Sequence, residues 1–320
     1  MKPNIFTWAT SELSQDAFIC WLLSWADIKY QKEKLHPTAI YFIQKLTGNK
    51  IASIINVDVE RQVKGIDILC RINNEFVILI EDKTRTSNHS DQLNKYYTYL
   101  KTLHDEDKIF PVYLKTGQQS NFASIHKAGY KLFLRNDFLD VFEFAKNHQI
   151  TDTIFLDFFE HLKKIEADIN SFIHLPVMQW HWESWKGFYS YLQTQLGDGE
   201  WDYVPQKNGG FLGFWWSWGY KEPNSQGFDY YLQLEHSKFC FKIHPYNKDY
   251  AYQTRDYFRS LLYPKAKEHG IAIYQNGRIG NYMTVAALSE SYIKVDESGL
   301  IDLEKTIKYI NHIEKMFADI

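Results

Sequence analysis

The sequence predicts an α/β fold with a mixed sheet, followed by a second α+β unit built on an aromatic-rich antiparallel sheet. Three observations carry this. An amphipathic helical pattern precedes three short apolar segments separated by tight-turn residues, and these are followed by a helical pattern and another apolar segment. The texture changes after residue 175, where tryptophan, tyrosine and phenylalanine concentrate. At 320 residues the chain is long enough for two cores, and the expected division is 1–175 and 176–320.

From Thr10 to Asp27, Leu13, Ala17 and Trp21 recur at spacing four with Phe18, Leu22 and Trp25 beside them, which predicts a helix capped by Thr10 or Ser11. A second helix begins at Pro37, suited to a first turn, and stops at Gly48. The period then shortens to two. Ile54 to Arg61, Ile66 to Ile72 and Phe76 to Asp82 read as successive strands of a meander, turned at Lys64-Gly65 and Asn73-Asn74. A polar loop with Ser87 and Ser90 leads to a helix carrying Leu93, Tyr96, Tyr97, Leu100 and Leu103. Strands at Ile109 to Leu114 and Lys131 to Leu134, and helices at Asp137 to Asn147 and Thr153 to Ile169, complete this half.

Beyond His174-Leu175-Pro176 the order is a helix with Trp182, Trp185, Phe188 and Leu192, four aromatic strands, and two helices with a strand between them. In the third of these segments Leu212, Phe214, Trp216 and Trp218 should share one face, with Phe211, Trp215 and Ser217 on the other. Such a strand reads first as sheet core and second as a platform that stacks bases. Arg255, Arg259 and Lys265 on the following helix are candidates for phosphate contacts.

Composition narrows the function classes. A net charge of -3 argues against a protein that coats nucleic acid through a broad basic surface. Three widely spaced cysteines make neither a disulfide framework nor a C-x-x-C metal site, which fits a reducing compartment. No apolar run approaches the roughly 20 residues of a membrane span, and the first residues lack a signal-peptide core, so a cytosolic protein without membrane association is expected.

The stretch FVILIEDKT, Phe76 to Thr84, holds the chemistry. Alternation puts Val77, Leu79, Glu81 and Lys83 on one face and Phe76, Ile78, Ile80 and Asp82 on the other. Asp67 lies in the preceding apolar strand, just after its turn. Charged groups at a core edge need a partner, and two facing carboxylates suit Mg²⁺. Singly, each residue also reads as half of a strand-end ion pair. Glu12 stands in a first helical turn, where the helix dipole alone favours a carboxylate. Asp16, one turn on, reads as solvated.

Asp67, Glu81-Asp82-Lys83 and Gln92-x-x-x-Tyr96 together resemble the PD-(D/E)XK nuclease superfamily, its RecB-like branch above all, over about residues 5 to 135. The resemblance implies a restriction-endonuclease-like core of helix, three-stranded meander, helix and strand. It implies Mg²⁺, with Mn²⁺ able to substitute, held by Asp67, Glu81, the main-chain carbonyl of Asp82 and Glu12. Lys83 would position or activate the attacking water, and Gln92 and Tyr96 would orient substrate. The partner would be nucleic acid, DNA rather than RNA, in bacterial defence or repair, with a homodimer as a further expectation. The alternative is a catalytically silent module of this fold that binds nucleic acid or a partner protein.

Overall fold

The computed structural model describes residues 2–84, 91–206, 209–275, 277 and 279–320, so the loop read at Ser87 and Ser90 lies outside the described residues. The chain divides into two units, Met1–Ala167 and Asp168–Ile320. This places the division within a helix, Thr153–Asn170, rather than at residue 175. Side chains explain the position: Ile165 packs on the first core, whereas Phe172 belongs to the second.

In the first unit α1 (Glu12–Ser24) and α2 (His36–Thr47) precede the meander β1 (Val57–Val63), β2 (Ile66–Ile72) and β3 (Phe76–Lys83). Then come α3 (Gln92–Lys101), β4 (Ile109–Lys115), α4 (Ala123–Lys127), β5 (Lys131–Leu134), α5 (Arg135–Lys146) and α6 (Thr153–Asn170). The strands form one sheet in chain order. β1, β2 and β3 are antiparallel, while β4 and β5 run parallel to β3, as crossovers through helices require. The sheet is therefore mixed.

Both faces are covered. Ile68, Cys70, Ile72, Ile78 and Ile80 point into a core shared with α1, α2, α5 and α6. Leu69, Val77, Leu79 and Tyr113 point into a second cluster under α3 and α4. This is why β3 reads as an unbroken apolar run. Ser11 caps α1, accepting from the Ser14 amide, and Gly48 ends α2 in the left-handed conformation at φ 65°. Leu13, expected on the buried stripe of α1, is exposed; Phe18, Ile19, Leu22 and Leu23 form that stripe. The stretch Leu13, Ala17, Trp21 drifts around the helix because a spacing of four exceeds 3.6 residues per turn.

The second unit contains α7 (Trp182–Leu196), β6 (Glu200–Val204), β7 (Phe211–Lys221), β8 (Phe228–Glu235), β9 (Lys238–Pro245), α8 (Ala251–Glu268), β10 (Ile273–Gln275), β11 (Met283–Leu288) and α9 (Leu303–Ala318). Its strands make an antiparallel sheet of order β10-β11-β9-β8-β7-β6. Two strands, β10 and β11, stand between α8 and α9 where one was expected. Leu212, Phe214 and Trp216 face a core completed by α7, α8 and α9. Trp218 does not join them. The register of β7 against β8 shifts between Trp216 and Gly219, and Ser217 takes φ 53°. This bulge turns Trp218 to the opposite face, where it stacks on Tyr231, and turns the Ser217 hydroxyl to Glu314 of α9.

Among the described residues no helix is long and apolar enough to cross a membrane. Cys20, Cys70 and Cys240 are all free.

Candidate active site

The carboxyl end of β3, beside its parallel neighbour β4, is where the sequence-predicted residues meet. Continuing the β2/β3 register from Ile68↔Ile80 by one step sets Asp67 opposite Glu81. Alternation then gives both carboxylates, and Lys83, one face of the sheet. The Lys83 ammonium lies 2.9 Å from Glu81 Oε1, 3.5 Å from Asp67 Oδ2 and 3.8 Å from Glu12 Oε2. It also donates to the Asp82 main-chain oxygen at 2.8 Å. Four oxygens, from β2, β3 and the first turn of α1, thus surround one cation.

Each acid is held by its surroundings. Asp67 accepts from the Asp82 amide through Oδ2 at 3.0 Å and from Gln62 Nε2 through Oδ1 at 3.1 Å. Glu12 Oε1 accepts from the Thr84 amide at 3.3 Å. Burial pushes the Glu81 carboxyl above its ordinary range, opposed by Lys83 and reinforced by Asp67. Burial works against the Lys83 charge, but the bond to Glu81 and the fields of Asp67 and Glu12 outweigh it, so the ammonium is held protonated more firmly than an ordinary lysine.

Three carboxylates against one ammonium leave two negative charges in excess within this cluster. The donors are all hard oxygens, and a divalent ion such as Mg²⁺ or Mn²⁺ matches both the donor type and the charge. Among the described residues no three acidic, histidine or cysteine side chains already form a metal cage; the lysine sits between the carboxylates instead. Glu12, Asp67, Glu81 and the Asp82 carbonyl are the donor type that a hard divalent cation takes, and such a cation would draw on the same oxygens that the Lys83 ammonium holds here.

Asp82 itself turns to the other face of β3. Its carboxylate is fully buried, accepting from Gln15 Nε2 at 2.6 Å. Gln15 Oε1 accepts from Thr116 Oγ1 at 2.7 Å, the Thr116 carbonyl accepts from Arg135 at 2.6 Å, and Arg135 pairs with Glu166 at 2.7 Å. The Thr116 amide returns to the Lys83 carbonyl at 3.3 Å. A buried network from four elements therefore fixes the strand end that carries Glu81 and Lys83.

Asp16, expected in solvent, is 1% exposed. Helix α1 lies against the sheet, and the turn that shows Glu12 at the sheet edge drives Asp16 beneath it. Burial and the negative field around it raise its carboxyl to about 6, and push Asp82 up as well. Asp16 Oδ1 and Asp82 Oδ2 have no hydrogen-bond partner, and a proton on either of these coupled carboxyls would supply a donor that both lack.

Gln92 and Tyr96 bond to each other, Nε2 to Oη at 3.1 Å. Tyr96 is buried with its hydroxyl over the β1–β2 turn, where a Cβ on Gly65 would lie 2.7 Å from it. Gly65 also takes φ +88°, so the turn before Asp67 needs glycine twice over. The pair thus sits beside the strand that bears Asp67. Arg255 and Arg259 both pair with Asp256, and Lys265 pairs with Glu268, so these three cations meet local carboxylates rather than forming one cluster.

Gln62, Gln15, Thr116 and Arg135 were not signalled by the sequence. Lys115 joins them: it is the register partner of Lys83 across β3 and β4, and it is buried. A lysine closing an apolar strand was the available signal.

No curated protein and no solved structure matches the chain. The sequence model of the PD-(D/E)XK nuclease superfamily matches residues 3–171, more than half of the 320 residues and all of the elements that build this site. The chain belongs to the PD-(D/E)XK nuclease superfamily.

Proposed function

We propose that this protein is a divalent-metal-dependent nuclease that hydrolyses phosphodiester bonds, with DNA as the substrate. The observation that carries this reading is the convergence of Glu12, Asp67, Glu81 and the Asp82 carbonyl on the Lys83 ammonium, at the carboxyl end of β3. When bound there, Mg²⁺ or Mn²⁺ would polarise the scissile phosphate and lower the pKa of a coordinated water.

The chain's own contribution is positional. Lys83 is held charged, so it donates hydrogen bonds to a phosphate oxygen or to the attacking water and offsets the charge that builds on phosphorus. Asp67 is oriented by Gln62 and the Asp82 amide, which keeps one carboxylate oxygen aimed at the cluster. Gln92 and Tyr96, bonded to each other next to the turn before Asp67, would orient substrate, and their pairing supports kinship with the RecB-like branch.

Purified protein incubated with labelled single- and double-stranded DNA and RNA, in Mg²⁺, Mn²⁺ and EDTA, tests the proposal. Cleavage of DNA with either metal and none in EDTA is expected. A second reading, a silent module that binds without cutting, draws on the ion cluster closed by Lys83. Binding of nucleic acid with no cleavage under any metal would select it.

A further inference from the structure

The sheet of the second unit has a helix-covered face and an open one. On the open face a cavity of about 470 Å³ is lined by Trp215, Trp218, Tyr231 and Tyr282, with Gln233 and Lys242 among its polar groups. This lies within the size range of about 300–1,000 Å³ usual for small-ligand sites. The rings are fixed in orientation. Trp218 lies on Tyr231 with centroids 4.1 Å apart and planes 16° from parallel, and Tyr282 lies on His244 at 4.2 Å.

The polar groups are costly to keep there. Lys242 is 8% exposed and Gln233 5%, on the central strands β9 and β8, where apolar residues would pack at no desolvation cost. Both are tied to Glu235: Lys242 Nζ at 3.3 Å and Gln233 Nε2 at 3.0 Å. The cavity therefore combines flat aromatic surfaces with an ammonium and an amide, both held in place by Glu235 behind its lining. A planar ligand with hydrogen-bonding edges matches it. A nucleobase has both: π-faces that stack on aromatic rings, and an edge of donors and acceptors that lysine and glutamine read.

We infer that this cavity binds an unstacked base of single-stranded nucleic acid. The inference rests on the reading of the chain as a nuclease, because that reading supplies the ligand class. Trp218, 52% exposed at the bulge, would be the main stacking surface, and Tyr282 the opposite one. Lys242 and Gln233 would meet the base edge.

The test is equilibrium binding of the full-length protein in EDTA, where cleavage plays no part. The probes are a fluorescent single-stranded oligonucleotide, its blunt duplex, and an abasic oligonucleotide of equal length and charge. Single strand should bind about tenfold or more tightly than either of the others. Trp218→Ala and Tyr282→Ala, both at exposed positions, should each weaken single-strand binding about tenfold, with unchanged circular dichroism. Equal binding of the abasic probe, preference for the duplex, or wild-type affinity in a folded variant would overturn the inference. So would failure of the single strand to bind at all, even if the protein cuts DNA with Mg²⁺. Conversely, base-dependent binding lost in Trp218→Ala would uphold it even if no metal supports cleavage, which would sink only the proposed activity.

Discussion

Lys83 Nζ lies 2.9 Å from Glu81 Oε1, two residues along the same strand and on the same face, and it takes the place between the carboxylates that a cation would fill. In the proposed site the lysine and a metal ion would therefore compete for Glu81 and Asp67.

Lys83→Ala should therefore reduce cleavage at least about 100-fold while leaving Mn²⁺ binding intact or tighter, because the variant removes a donor and frees its oxygens. Glu81→Ala should lose both. Isothermal calorimetry with Mn²⁺ on the two variants, beside the cleavage assay, checks the division of roles. Equal loss of metal binding in both would show Lys83 to be needed for the metal site itself.

The buried pair of Asp16 and Asp82 gives a pH dependence of stability. A carboxyl whose pKa is higher folded than unfolded keeps a proton that the unfolded chain releases, so its contribution falls as pH rises. For Asp16 the window runs from the ordinary aspartate value near 4 up to about 6. Asp16→Asn supplies a permanent donor to Asp82 Oδ2 and removes that dependence. Relative to wild type it should be near neutral at pH 4 and more stable by about 1–2 kcal/mol at pH 8. Thermal melts of both proteins across this range decide it; a constant difference at every pH would show that Asp16 does not titrate there.

Gly65→Ala should destabilise by about 1–3 kcal/mol, from the left-handed backbone and the contact with the Tyr96 hydroxyl. Tyr96→Phe removes that oxygen, after which the nearest ring atom lies 3.3 Å from the added Cβ. The double variant should be less destabilised than the two single changes add up to. Urea denaturation of the four proteins measures the coupling. Strict additivity would mean that backbone strain alone accounts for the glycine.

The parts of this fold that were legible in the sequence are those set by local period. Alternation along β3 placed Glu81 and Lys83 on one face and Asp82 on the other, and the Asn73-Asn74 turn between β2 and β3 fits the register that puts Asp67 across from Glu81. Asp16 was misread because two acids four apart on a helix look like a solvated face, and only packing of α1 on the sheet buries one of them. Trp218 was misread because the bulge at Ser217 carries no glycine to announce its positive φ. The Gln15–Thr116–Arg135 network joins residues 101 apart in its Gln15–Thr116 link, which no local pattern reveals.

The division of the chain gives the last prediction. The first core takes Phe155, Phe158, Phe159 and Leu162 from α6, with Ile165 packed on it, and Glu166 anchors Arg135 behind the active strand end. A truncation at residue 175 or earlier must therefore keep α6 through Asn170, and one that stops before residue 153 would open the core. Phe172 marks the other limit, since it is buried only in the second core and would be an exposed aromatic in the fragment. Residues 1–170 should fold cooperatively by circular dichroism and retain metal-dependent cleavage, because the fragment contains every residue placed in the site. If the second unit chooses the substrate, the fragment should lose preference between single and double strands while still cutting both. A folded fragment inert on every substrate that the full chain cleaves would show that the second unit supplies part of the catalytic machinery, and the separation of chemistry from recognition would fail.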